Sequence, residues 1–546
     1  MKINHFYFSC SLVFLAGVGC GKDSKLESAF TRKNNVAEVR KLETNVINKL
    51  HHNNSPKSTS SDSKCKDTSA SNAKTVKKYG SSTLRSISFG QYKNSLRILN
   101  VPLQDILNPW ADTAVAGVFK TRADQLLMSP GPVRVLFKNA KVLSENTANN
   151  MIVGSKCAES TEDRERACLS PTVSVFLQKV LRKNKIETDL MWNSIYSEFR
   201  TKFNAQLSLE ALLMRSFLSP DFLFSSEIGL GKEGEIAILN AEEMSHALSM
   251  ALFQEPADET LLNFARSGNW SKKELLQKEI ERLISTKSQP FGMAEFVNEI
   301  LELETPVHSS VVTGPEGEKQ KQIISASDKK IATDISKMLI QPESGPQHMM
   351  TQVNSLSSAS VLARKTHAAD SNPVTRGNYI SRRLLCIEIG SPPPNLPTID
   401  FTTSTNGLSK REALTTIHTK PACAFCHSKM DPFGFVLEGL DVVGNSRTHW
   451  KGIPIDTKVK VSIPGFSLNR EFLGPDDFIP AIAVSSEFNA CISDQLVEFV
   501  SGAIPGAADA AVCSVKSGVS LVPPTFSEIL AQYYSSDLFM KRKSSN

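Results

Sequence analysis

The chain has 546 residues, of which 22% are charged and 40% hydrophobic, and this length exceeds what one hydrophobic core serves, so several packed units are expected. Its net charge of +6 is misleading: residues 21–80 hold thirteen Lys or Arg against six Asp or Glu, a balance of +7, Lys2 adds one more, and residues 81–546 are left near −2. The basic excess therefore belongs to a leader and not to a folded face, which excludes a nucleic-acid surface.

In chain order, Lys2 is followed by a largely apolar run, Phe6 to Val18, too short to span a bilayer and suited to a signal-peptide core. The run ends in Leu15-Ala16-Gly17-Val18-Gly19-Cys20-Gly21. A cysteine behind small residues resembles a bacterial lipobox, although Gly17 stands where that pattern usually carries Leu. Lipidation at Cys20 and ordinary secretory cleavage both remain open, and either route exports the chain. Residues 1–19 are read as a lipoprotein-like signal peptide and 20–80 as a flexible basic linker. Within it, Phe30, Val36, Val39, Leu42, Val46, Ile47 and Leu50 recur at helical spacing. Residues 51–73 then turn to Ser, Asn, Lys and Thr, a composition that cannot bury a core. Beside a lipid anchor, such a linker lies along anionic headgroups or is solvated.

From about residue 81 the pattern becomes globular and mainly α. Leu207 to Phe217, Ala241 to Phe253, Glu259 to Ala265, Lys272 to Ile284 and Ala294 to Leu303 carry apolar residues at three-to-four spacing. Asn240 and Glu243 form a capping-box pattern, and Pro256 is the expected stop of the helix that follows. Residues 306–330 and 341–373 are polar and read as loops, and Pro392-Pro393-Pro394 as a stiff extended segment.

The most specific chemistry sits at Cys423-Ala424-Phe425-Cys426-His427. Two cysteines three apart with a histidine directly after the second are the attachment signature of c-type haem: each thiol adds to one vinyl group, so the cysteines sit about one helical turn apart, and the imidazole reaches the iron. A redox dithiol or half of a zinc site also uses C-x-x-C, but a dithiol does not need the histidine, and a zinc site needs about four ligands. Export agrees with haem c, which is attached outside the cytoplasm in bacteria. Of ten cysteines, Cys10 leaves with the signal, Cys20 carries lipid, and Cys423 and Cys426 hold haem. The remaining six suit disulfides, with Cys157–Cys168 and Cys491–Cys513 as the local pairings and Cys65 in the flexible stretch.

These residues carry a resemblance. The chain resembles the multi-domain exported haem-c proteins first recognised in planctomycetes, built from consecutive domains of unknown function around a cytochrome-c-like segment. Arg376-Gly377, Arg383-Leu384-Leu385-Cys386 and the proline run resemble the opening of the haem segment. Arg411-Glu412, His418, Pro421, Cys423, Cys426 and His427 resemble its centre; Asp431-Pro432-Phe433-Gly434-Phe435, Glu438, Asp441, Gly444 and Arg447 resemble its close. Flanking similarities include Leu84 to Leu99, Cys157 with Cys168, Ser219 to Phe224, Phe488 with Cys491, and Ser536 to Phe539. The chain departs from the family pattern at Arg182-Lys183-Asn184, Ala247-Leu248-Ser249 and Gly502-Ala503, where the family usually carries further arginines. The resemblance implies export and covalent haem and supplies no reaction.

The domains expected are 81–150, 151–216 with its cysteine pair, a helical 217–330, a linker 331–373, a cytochrome-c-like haem-binding domain 374–470 and a helical 471–546, so that the whole is a multi-domain helical array. His427 is the axial ligand. Met430, three residues on, cannot pass round the porphyrin edge. His418 can wrap to the far face as a sixth ligand, since five extended residues reach about 17 Å; alternatively it caps a helix or bonds a propionate. His449 and Met540 are further candidates by side-chain type alone. Asp431 to Gly434 read as a turn ending the haem helix, and Glu438, Asp441 and Arg447 as a network fixing the loop. The expected function is a mono-haem protein carrying electrons at the cell envelope, anchored to the membrane by lipid and serving a redox partner protein. Two alternatives stand: a haem-c oxidoreductase, peroxidase-like or dehydrogenase-associated, with an open sixth position, and an envelope binding or scaffold protein with structural haem.

Overall fold

Twenty α-helices and eleven short strands make up the described part of the chain, which is mainly helical. The computed structural model describes residues 80–543 apart from 82, 102, 105, 110–118, 123–129, 156, 158–161, 232–235, 288, 368–369, 391–406 and 503–522. The signal peptide, Cys10, Cys20, most of the basic linker, Cys65, Pro392-Pro393-Pro394 and Cys513 lie outside the described residues.

Strands β1 (Gly80–Ser81) and β2 (Thr83–Ser86) precede α1 (Phe89–Ile98), which Ser88 and Gln91 open with a reciprocal capping box. Helices α2 (Pro130–Ser155), α3 (Glu162–Leu181), α4 (Lys185–Arg200), α5 (Ala205–Phe217) and α6 (Pro220–Leu223) share one apolar core, including Leu143, Leu177, Trp192, Tyr196 and Leu212. The Cys157–Cys168 disulfide ties the end of α2 to α3, as the local spacing led us to expect. Strand β3 (Phe224–Glu227) pairs antiparallel with β2, and β4 (Ile236–Ile238) leads to the second core.

That core begins with α7 (Ala241–Phe253), α8 (Glu259–Arg266), α9 (Lys273–Thr286) and α10 (Phe291–Leu301). All four agree with the apolar spacing to within a few residues. Helix α7 stops ahead of Pro256, because Gln254 turns left-handed at φ 58°. Helix α10 starts earlier than its apolar spacing suggests and crosses α7 so closely that a Cβ on Gly292 would overlap the Ala251 carbonyl.

The stretches read as polar loops and linker differ from expectation. Helix α11 (Gly314–Leu339) runs through most of residues 306–330 and on into 331–339, burying Ile324, Ile331, Ile335, Met338 and Leu339 along one stripe. Its other faces carry the charges that dominate the composition. Short helices α12 (Pro346–Thr351) and α13 (Ala359–Leu362) likewise bury Met349, Met350, Val361 and Leu362, so 341–373 is packed structure held by few but fully buried apolar residues.

Beyond the hairpin of β5 (Thr366–His367) and β6 (Asp370–Ser371) come α14 (Pro373–Tyr379), a π-helical turn at Ile380–Leu384, α15 (Lys410–His418) and α16 (Pro421–Phe435). Two further small hairpins pair β7 (His449–Trp450) with β8 (Ile453–Pro454) and β9 (Val459–Lys460) with β10 (Glu471–Phe472). Helices α17 (Pro475–Val484), α18 (Ser486–Ser501), α19 (Phe526–Tyr534) and α20 (Asp537–Met540) return to the second core, where Trp270 donates to the Tyr534 carbonyl at 2.9 Å. Strand β11 (Lys541–Lys543) then lies between β1, parallel, and β4, antiparallel.

Candidate functional site

Helix α16 carries the cysteine pair. Pro421 at its first turn needs no hydrogen-bond partner for a missing N–H and presets the helical φ. Cys423, Cys426 and His427 follow within two turns. Cys423 and Cys426 are half-buried free thiols, whereas the other four described cysteines are disulfide-bonded. The Cys426 thiol donates to the Ile389 carbonyl at 3.0 Å, and Phe425 between the cysteines is 61% exposed.

The helix does not end in a turn at Asp431-Pro432-Phe433-Gly434, as the proline and glycine suggested, but continues to Phe435. Pro432 removes one helical hydrogen bond, and packing compensates. Helices α14 and α16 cross at two glycines: a Cβ on Gly377 would overlap the Met430 carbonyl oxygen, and one on Gly434 would overlap that of Pro373. Arg376, 1% exposed, extends from α14 to the chain beyond α16 and donates to the carbonyls of Leu437 (3.0 Å), Leu440 (2.8 Å) and Asp441 (2.7 Å). Burial pushes its guanidinium down to about 10, with Glu438 opposing. The Arg376-Gly377 and Gly434 positions of the resemblance are thus explained by backbone approach.

Around this crossing lies a buried charge network. Glu438 Oε2 accepts from Arg447 Nη2 at 3.0 Å and Ser371 Oγ at 3.0 Å, and is paired with Lys410 at 3.3 Å. Asp370 pairs with Lys410 at 3.0 Å and Arg447 at 3.2 Å, and accepts from the Trp450 indole. Burial raises the Asp370 carboxyl, but Lys410, Trp450 and Arg447 together outweigh it and hold the group below its ordinary value. Glu438 and Arg447 do fix the loop. Asp441 works separately, closing its own turn on the backbone N–H groups of Val443 (2.8 Å) and Asn445 (2.9 Å). Sequence reasoning did not find Lys410, Asp370 or the reach of Arg376, since none stands at a telling spacing from its partners.

On the other side of α16, Lys429 Nζ donates to the Glu388 carbonyl at 3.2 Å and Ser381 Oγ to that of Lys429 at 3.2 Å. The strip 385–390 is itself held by a Cys386–Cys491 disulfide to α18. This corrects the Cys491–Cys513 pairing: Cys491 lies 5.4 Å from Cys386, Cα to Cα, across 105 residues, a proximity that no local spacing announces.

The axial candidates meet at a carboxylate. His418 closes α15, and the short corner to α16 lays its ring on that of His427, with centroids 3.3 Å apart and planes 21° from parallel. His418 Nδ1 donates to Asp431 Oδ2 at 2.6 Å, and His427 Nδ1 donates to Asp431 Oδ1 at 2.9 Å. Burial raises the Asp431 carboxyl, yet the hydrogen bonds from His418 and then His427 outweigh it and leave the group below its ordinary value. An ionised carboxylate only accepts, so each Nδ1 carries the hydrogen, and Nε2 is the nitrogen each ring has left to offer a metal. Asp431 was missed as a site residue, although its i,i+4 spacing from His427 places both on one helix face. His449 is exposed on β7 beside Thr448, and Met540 ends α20 in the second core.

Two family models match the chain. Residues 355–450 match PSCyt3, a protein of unknown function (DUF1588), and residues 239–344 match PSD4, a protein of unknown function (DUF1592). These are domains associated with planctomycete-type cytochrome c proteins, and neither description names an activity. The first covers the crossing, the charge network and the His–Asp–His cluster; the second covers α7 to α11. No curated protein and no solved structure matches the chain.

Proposed function

We propose that this is an exported mono-haem c protein, with Cys423 and Cys426 as the thioether attachment points and His427 as the axial base, that carries electrons at the cell envelope. The observation that supports it best is the pair of free thiols one turn apart on α16, followed by an imidazole whose Nδ1 is occupied by a carboxylate. That donor set fits haem c: the thiols are unpaired, and a hydrogen-bonded Nδ1 directs metal binding to Nε2. Haem held there supplies a one-electron centre. The surrounding residues brace α16 from three sides, through Arg376 and the glycine crossing, the Lys410–Glu438–Arg447 network, and the disulfide-held strip 385–390, which suits a site that changes charge without changing shape. Lipidation at Cys20 and a partner docking beside the exposed Phe425 belong to the same reading. No helix among the described residues is long and apolar enough to cross a membrane.

A second reading, a haem-c oxidoreductase with an open sixth position, is favoured by His418 being engaged with Asp431. Expression with a haem-c maturation system tests the common core. Haem is expected to stay on the chain through denaturing acidic-solvent extraction and to be lost in Cys423→Ser with Cys426→Ser. A haem-free wild-type chain, under conditions where a control cytochrome matures, overturns it and leaves a thiol or metal motif.

A further inference from the structure

Among the described residues, His418, His427 and Asp431 are the one group of three His, Cys, Asp or Glu side chains whose ligand atoms all lie within 4.8 Å of one another. His418 and Asp431 are 6% and 9% exposed, so the cluster is a built interior feature and not a chance surface contact. A buried carboxylate with two imidazole donors needs no third partner, and the arrangement is complete as it stands.

The geometry bears on what His418 does. Two imidazoles facing each other across one iron, each bound at about 2 Å, hold their ring centres roughly 6 Å apart and end-on. Here the ring centres are 3.3 Å apart and nearly parallel, and both Nδ1 atoms are within hydrogen-bond distance of the two oxygens of a single carboxylate. A carboxylate that holds one ring by its Nδ1 cannot also reach the Nδ1 of a ring on the opposite face, because each Nδ1 then lies on the far side of its own ring from the iron. Serving Asp431 and serving as the far-face ligand are therefore alternative positions for His418.

We propose that Asp431 is the positioning residue of His427, fixing its tautomer and raising its basicity, and that His418 is the second donor to that carboxylate and not the sixth ligand. It rests on the haem reading above. The consequence is chemical: were haem held there, the position opposite His427 would not be filled by His418, and the metal's spin state would not depend on the His418 imidazole. His418 stacks on His427 and neutralises half of the carboxylate's demand for donors, which holds the oxygen that His427 uses in one place. An imidazole that donates its Nδ1–H to a carboxylate is a stronger metal ligand through Nε2 and lowers the redox potential of the metal it binds.

The test uses the haem-loaded full chain and three variants: His418→Ala, His418→Gln and Asp431→Asn. The readouts are spin state by absorption and electron paramagnetic resonance, midpoint potential, and binding of carbon monoxide and cyanide. His418→Gln, which keeps a hydrogen-bond donor but is a poor iron ligand, is expected to retain the wild-type spin state, potential and probe binding. Asp431→Asn is expected to move the potential positive. Conversion of a low-spin wild type to a high-spin form in both His418→Ala and His418→Gln makes His418 an iron ligand and overturns the proposal. An unchanged potential and spectrum in Asp431→Asn overturns the positioning role. Wild type without covalent haem refutes the functional reading itself, and the inference falls with it. If His418→Ala does not fold, the glutamine variant decides.

Discussion

The helices from α7 to α10 and the segment from α14 to β7 share one apolar core, and the second adds to it a network of buried charges around a close helix crossing. In the first, Leu248, Leu252, Phe253, Leu276, Ile280, Leu283, Phe296 and Ile300 are fully buried at helical spacing, and area removed from water does the stabilising. In the second, Arg376, Lys410 and Glu438 are buried charges, and α14 meets α16 at two glycines. An apolar core tolerates exchange of one hydrocarbon for another of like volume. A charged one depends on individual atoms, because each partner removed leaves another buried and unpaired.

The sharpest way to break this contrast is Arg376→Met. The side chain keeps its volume and loses three hydrogen bonds to carbonyls, and it leaves Glu438 short of a neighbouring charge, so a loss of about 3–5 kcal/mol is expected in chemical denaturation. Leu283→Met, a hydrocarbon exchange in the other region, is expected to cost under about 1.5 kcal/mol. Similar costs for the two would end the distinction. Next in size are the disulfides. Removing Cys386–Cys491 releases a separation of 105 residues and removing Cys157–Cys168 one of 11, so the first is expected to cost roughly 1–2 kcal/mol more than the second. Equal costs would mean that the strip 385–390 is held by its other contacts. Comparable in size is Gly434→Ala, whose Cβ overlaps the Pro373 carbonyl oxygen: about 1–3 kcal/mol, read as a lower melting temperature, against a change within about 1 kcal/mol for Gly131→Ala, which meets nothing within 4 Å.

The same contrast governs what could be read before the structure. Helices α7 to α10 were legible because apolar spacing, the Asn240–Glu243 capping box and a nearby proline all point one way. The cysteine pair and His427 stand out in the sequence because they are close neighbours in it, and the structure keeps both thiols free on α16. Helix α11 was not, since a long, mostly exposed helix with one narrow apolar stripe has the composition of a loop. The Cys386–Cys491 bond and the Lys410–Glu438–Asp370 network were not, since their partners are dozens of residues apart and nothing local marks them. The continuation of α16 through Pro432 was misread because the contacts that sustain it come from α14.

Acid and base should act on the two regions in opposite directions. On α10, burial first and the neighbouring carboxylates after it raise Glu295 to about 7 and Glu299 to about 8, from an ordinary 4.5. The folded chain thus binds more protons than the unfolded chain between those values. The stability these groups contribute is complete below about pH 4.5 and is lost as pH rises through 7 to 8. Asp370 and Asp431 are held below their ordinary 3.8, so their contribution is complete above that value and is lost only as pH falls through their depressed folded values. Hydrogen exchange read segment by segment should therefore show α10 opening more readily on going from about pH 5 to about pH 9, while the contribution of Asp370 and Asp431 to α14 and α16 is lost only in acid. Glu295→Gln with Glu299→Gln should flatten the alkaline loss in α10 and leave the acid loss in α16 intact. If that double variant also abolished the acid response, the two regions would be one electrostatic unit, and the division drawn between apolar and charged packing would not hold.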